Sequence, residues 1–178
     1  MTSILKVDQI QNTDGQQALV ITPDGSIDSV KFPQAADPVG RVITSTTMSS
    51  YEEGTWIPVI EGTTTAGTGT YTSQGGSYTR IGDLVTCLGY TDITAHTGSG
   101  NILITGLPFT HGTGSIIEAV GTVMSSNLTY TKEQLVLLGN KNSKRIRFYQ
   151  FGPSTNWTPV PMDTSFSVFF QFTYQTDD

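Results

Sequence analysis

Glu52 and Glu53 stand side by side in YEEGTWIPVI, residues 51–60. Paired carboxylates are the acid–base machinery of most glycoside hydrolysis, which needs both carboxyls facing one bond at roughly 5–10 Å. In an extended segment neighbouring side chains point to opposite faces, so Glu52 and Glu53 would not share such a site. Asp83 and Asp92 are a second carboxylate pair, which the sequence neither joins nor separates. His96 and His111 lie fifteen residues apart in Gly/Thr/Ser-rich stretches. Both read as loop histidines exposed to water. Asp92, His96 and Ser99 are close in sequence, but a triad is made by geometry across a fold and not by proximity in one loop. The glycines at Gly67–Gly69 and Gly98–Gly100 carry no P-loop lysine and open no helix, so no phosphate cradle follows. The expectation is a chain without catalytic residues, metal or cofactor.

Aromatic residues offer binding chemistry instead. An exposed ring among amides and hydroxyls suits a sugar, whose apolar face stacks while its hydroxyls bond to a polar rim. Trp157, in the loop GPSTNWTP, with Asn156 and Tyr149, is the candidate contact for a glycan or partner. Trp56, Tyr71, Tyr78 and Tyr90 read as core filling or as a subunit interface.

The elements that would position these residues are strands. Charged residues make up 13% of the 178, and Thr, Ser and Gly abound. Such a balance favours pleated strands and tight turns over helices. The net charge of −6 speaks against nucleic acid, which needs clustered Lys and Arg against phosphate. Lys141, Lys144, Arg145 and Arg147 read as a solvated hairpin end. The single cysteine, Cys87, excludes an internal disulfide framework and reads as a small core hydrophobe. No apolar run is long enough to cross a membrane. The start, MTSILKVDQI, lacks the pattern of a signal peptide, which implies synthesis and retention of solubility in a cytoplasm.

Residues 1–50 differ from the rest. Asp14-Gly15 and Asp24-Gly25 are strong turn signals, and they divide the segment into short strands near 4–10, 18–22 and 26–32. Pro33 and Pro38 mark a linker. Strands so short and so poor in large apolar residues cannot bury enough surface alone, so the arm must pack against its own C-terminal domain, copies of itself or a partner, the partner being the expectation. Its docking candidates are Leu5, Val7, Ile10, Leu19 and Ile21. Residues 51–178 read as one all-β domain of the β-sandwich or jelly-roll kind. Its strands are expected at 55–60, 69–73, 77–81, 84–93, 101–105, 117–124, 134–138, 145–151 and 165–174. SQGG and similar stretches read as turns between them. In SFSVFFQFTY, Phe166, Val168, Phe170, Phe172 and Tyr174 share one face, and the other face is polar apart from Phe169.

Three stretches of this domain form a recognisable string: YEEGTWIPVI, then GTYTSQGGSYTRIGDLVTCLGY, then ILITGLPF. The string resembles a segment of bacteriophage tail-fibre and related virion-decoration proteins. In that family an acidic-Gly-Thr-aromatic-x-Pro opening leads to Y-x-x-Q-x-G-x-Y-x-x-I-G and a GLPF turn. Here those are Glu52 to Pro58, Tyr71 to Gly82, and Gly106 to Phe109. ILKVDQIQNTDG, residues 4–15, likewise resembles the start of fibre proteins of aquatic phages, cyanophages among them. The resemblance implies a non-enzymatic virion protein, a homotrimer attached by its N-terminal region to other virion proteins of the capsid or tail. It implies localisation to the virion after synthesis in the host bacterial cytoplasm. The chain has no long repetitive shaft, so a short fibre and a capsid decoration or cement protein fit equally. A carbohydrate-binding module for host-surface glycan is the alternative.

Overall fold

The computed structural model describes residues 9–11, 17–21, 27–31, 47–113 and 118–178, the stretches before residue 50 as backbone only. The chain divides into two compact units, Met1–Tyr51 and Glu52–Asp178. No helix occurs among the described residues.

The first unit is an antiparallel meander of β1 (Gln9–Gln11), β2 (Gln17–Ile21), β3 (Ile27–Lys31) and β4 (Thr47–Ser49), in that spatial order. β2 and β3 coincide within a residue with the strands expected at 18–22 and 26–32, whereas β1 overlaps the one expected at 4–10 only at Gln9 and Ile10, the rest lying outside the described residues. β4 lies beyond the linker prolines, where the sequence carries no strand signal. The linker and the two Asp-Gly turns fall outside the described residues.

The second unit is all-β and sandwich-like. Its strands are β5 (Tyr51–Trp56), β6 (Val59–Gly62), β7 (Gly69–Ile81), β8 (Leu84–His96), β9 (Ile102–Thr105), β10 (Val120–Ser126), β11 (Gln134–Asn140), β12 (Arg145–Phe151), β13 (Thr158–Pro159) and β14 (Phe166–Gln175). They form one path, β5-β7-β8-β14-β10-β11-β12-β9-β6, with β13 beside β12. The two ends of that path, β5 and β6, are consecutive in sequence. Only Ile57 and Pro58 separate them, so the sheet must curl until its edges meet at this corner. β10 makes the opposite corner: Val120 and Gly121 pair with β11, whereas Thr122–Ser126 pair with β14. Two corners fold one sheet into two facing layers, the usual way strands pass between the layers of a sandwich.

Alternation along the strands, clearest in β14, fills the space between the layers. β14 buries Phe166, Val168, Phe170, Phe172 and Tyr174, as its period of two requires, while β8 contributes Val85, Cys87 and Ile93. The other layer supplies Ile60, Ile102, Ile104, Leu137, Ile146 and Phe148.

β7 departs from expectation. SQGG is not a turn; one strand runs through it, with register shifts between Thr70 and Ser73. The glycines clear space for rings. Gly76, Gly89 and Phe170 lie in one row of the register. A Cβ on Gly89 would sit 2.1 Å from the Phe170 ring, and one on Gly76 would sit 2.4 Å from both Trp56 Nε1 and the Leu88 carbonyl. Through that gap Trp56 donates its indole N–H to Leu88 O at 3.1 Å and meets Phe170 edge-on.

Two predictions follow from this packing. Gly76→Ala must displace the indole or a carbonyl and should cost about 2–4 kcal/mol in urea unfolding. Gly75→Ala next to it, with nothing within 4 Å of the added Cβ, should cost less than about 1 kcal/mol. Equal losses would refute the ring-clearance account. Burial pushes the Cys87 thiol from 9.0 up to about 12, and burial likewise raises Tyr71 and Tyr174. A group that holds its proton more tightly when folded stabilises fully below its unfolded value and loses that contribution as pH rises. Stability should therefore hold to about pH 9 and then fall toward pH 12. Cys87→Ala should flatten the first part of the fall in a pH series of urea midpoints.

Candidate functional site

Glu52 and His96, two of the residues that could do chemistry, are occupied in holding the β5–β6 corner. Glu52 accepts a hydrogen bond from Tyr78 Oη, which holds that phenol above its ordinary range. Gly54 is part of β5, and a Cβ added there would sit 2.6 Å from the Tyr78 ring. Gln74 Nε2 donates to Pro58 O at 3.0 Å, and the Ile60 N–H donates to Tyr71 Oη at 2.8 Å. The corner's backbone groups, which no neighbouring strand reaches, are thus bonded by side chains from β7.

The GLPF turn closes the same region. Tyr78 meets Phe109 edge-on at 5.5 Å, and the Arg80 guanidinium lies 4.7 Å over the Phe109 ring. Tyr174 Oη donates to Phe109 O at 2.9 Å. Gly106 adopts φ +87, with its would-be Cβ 2.9 Å from Ile57 O. The residues of the string from Glu52 to Phe109 therefore converge on one packing unit.

Both histidines correct the sequence reading, because they are buried, at 6% and 1% exposure. His96 closes β8. Its Nδ1 accepts from the Gly98 N–H at 2.9 Å, so Nε2 carries the proton and donates to Ile60 O at 3.0 Å. His111 stacks on Tyr174 and pairs Nδ1 with Gly112 O at 3.1 Å, leaving Nε2 without a partner. Asp92 accepts from Ser167 Oγ at 2.6 Å on the outside of the layer, so Asp92, His96 and Ser99 form no relay. Asp83 and Asp92 stand at opposite ends of a strand segment roughly 30 Å long, too far for one bond. Among the described residues no cluster of three His, Cys, Asp or Glu side chains could hold a metal.

Of the sequence candidates for binding, two come together. Trp157 is 61% exposed and meets Tyr149 edge-on, with ring centroids 4.7 Å apart. They wall a groove of about 370 Å³ on the outer face of β10–β11–β12. Val120, Val136, Leu138 and Phe151 complete its apolar surface, and Glu118 and Thr155 add polar groups. Asn156 does not line it; its carbonyl accepts from Lys132 Nζ. The apolar groove residues were missed because each alternates with a core residue. The available signal is QLVLLGN, which is apolar on both faces and so implies that both faces are covered.

In the first unit, Ile10, Leu19, Val30 and Met48 occupy one row of the register across β1 to β4. Ile21 pairs with Ile27. Leu5 and Val7 lie outside the described residues. No family model matches the chain, and neither a curated protein nor a solved structure matches it.

Proposed function

We propose that the chain is a non-enzymatic bacteriophage virion structural protein. It docks on the particle through residues 1–50 and displays the β domain as a homotrimer, either as a short fibre or as capsid decoration. One observation carries the reading: the residues of the shared string meet in a single load of packing and hydrogen bonding at the β5–β6 corner. The resemblance thus rests on scaffold positions, and Glu52, Asp92 and His96, three of the residues an enzyme would use, are hydrogen-bonded within the domain. The apolar row Ile10–Leu19–Val30–Met48 supports docking by the arm, since a four-stranded sheet so small gains stability by covering such a row.

A second reading, a carbohydrate-binding module for host-surface glycan, rests on Trp157. A ring 61% exposed beside a groove is the arrangement that stacks on a sugar.

Removing residues 1–50 should leave a folded domain by circular dichroism but abolish its incorporation into particles, read by mass spectrometry of purified virions. Incorporation of the truncated chain would remove the docking role. Copy number in the same particles separates decoration, with many copies, from a fibre, with few. On a glycan array, the second reading expects binding by the wild type and at least tenfold weaker binding by Trp157→Ala. Silence from both proteins removes that reading.

A further inference from the structure

The outer face of β7–β8–β14–β10 is built unlike a solvated surface. The register places Tyr90, Phe169 and Met124 in one row across three strands, and Gly75 is the fourth member of that row on β7. Tyr90 and Phe169 stack at 4.3 Å between centroids. Phe169 is 52% exposed, Met124 66%, and Leu88 on the next row 51%. These side chains border a shallow depression of about 700 Å³ whose floor includes Gly75 and Gly76. Among the outward positions of the four paired strands, Asp92 is the sole charged residue, and its carboxylate is bonded by Ser167.

We propose that this face is where copies of the chain contact one another. Its composition is that of an interface centre, where charge is depleted and Phe, Tyr and Met are enriched. The rim is of Ser, Thr and Gln, including a Thr86–Thr173 hydroxyl pair at 3.1 Å.

Three observations select a second copy as the occupant. Chains of net charge −6 repel one another except where charge is missing, and this face lacks it. A foreign partner would ordinarily be selected and steered by charge, of which the face offers almost none. The surface also carries both halves of a fit. The row sets the exposed Phe169 and Met124 beside Gly75, where no side chain projects, so the ridge of one copy seats over the bare strand of the next, a heterologous contact that every copy satisfies when the ring closes. The face is small for the role: four strands about 4.8 Å apart and ten residues at about 3.3 Å span roughly 600 Å², which two neighbours share in a ring, so the association expected is weak and concentration-dependent. A standard interface takes about 800 Å² from each partner.

This inference rests on the proposed homotrimer and adds the face that makes it. The test is sedimentation of the full chain up to about 100 μM, since association follows mass action. The variants are Phe169→Glu and Met124→Glu, which charge the ridge, and Gly75→Phe, which fills the depression where an added Cβ meets nothing. All three positions face outward, and circular dichroism checks that the fold is kept. Wild type should be oligomeric, each variant should associate at least tenfold more weakly, and Trp157→Ala should match wild type. A wild-type oligomer that all three variants preserve would overturn the face and leave the homotrimer standing. A monomeric wild type would overturn the inference and the homotrimer together.

Discussion

The hydrogen bond from the Trp56 indole to the Leu88 carbonyl decides how the β domain closes. An indole carries the largest apolar surface of any side chain and one N–H that must be satisfied when buried. Both needs are met only where the neighbouring strand has no side chain, which is why Gly76 stands opposite Gly89 in mid-sheet. Glycine weakens a strand by about 0.5–1 kcal/mol, and burial of the indole against Phe170 offsets that loss. Once Trp56 is pinned, β5 cannot continue, because Pro58 has no N–H for the ladder. The chain turns at Ile57–Pro58 and emerges as the opposite edge of the same sheet. Closure of the two layers, and so the whole core, depends on that turn.

Closing the corner uses up polar chemistry. Tyr71, Gln74 and Tyr78 reach from β7 to satisfy or cover groups of β5 and β6. His96 bridges from the end of β8 to Ile60. A sandwich whose corner runs between edge strands leaves backbone groups that no ladder serves, and buried groups of this kind must find side-chain partners. Glu52 and His96, which look reactive in the sequence, are therefore bound to the scaffold.

The sequence made the period of the strands legible and left the use of individual residues obscure. β14 could be read position by position because its alternation is nearly perfect, with Phe169 as its single exception. That exception marks the face from which copies are proposed to meet. SQGG misled because a glycine that clears room for a ring is the same letter as a glycine that supplies a turn, and only the facing strand tells them apart. His96 and His111 misled for a similar reason: loop composition implies solvent, yet the partners that bury them lie 36 residues away for His96 and across a stacked tyrosine for His111. The Tyr149–Trp157 pair was legible as aromatic residues near in sequence, whereas the floor of their groove was hidden in strands that looked like core alone.

The two exposed aromatic features differ in the rigidity beneath them, and that difference separates their roles. Phe169 lies within a ten-residue strand hydrogen-bonded on both sides, to β8 and β10. A side chain held so firmly presents one fixed shape, which suits a contact repeated identically between copies. Trp157 stands just before a strand of two residues, after the loop that follows β12. Loops tolerate change and carry variable binding, because little packing depends on them. The displayed domain proposed above would need both properties, an invariant face toward its copies and an adaptable one toward its surroundings. On that proposal, the distribution of aromatics gives each face its place: Phe169 and Tyr90 on one layer, Trp157 and Tyr149 on the other.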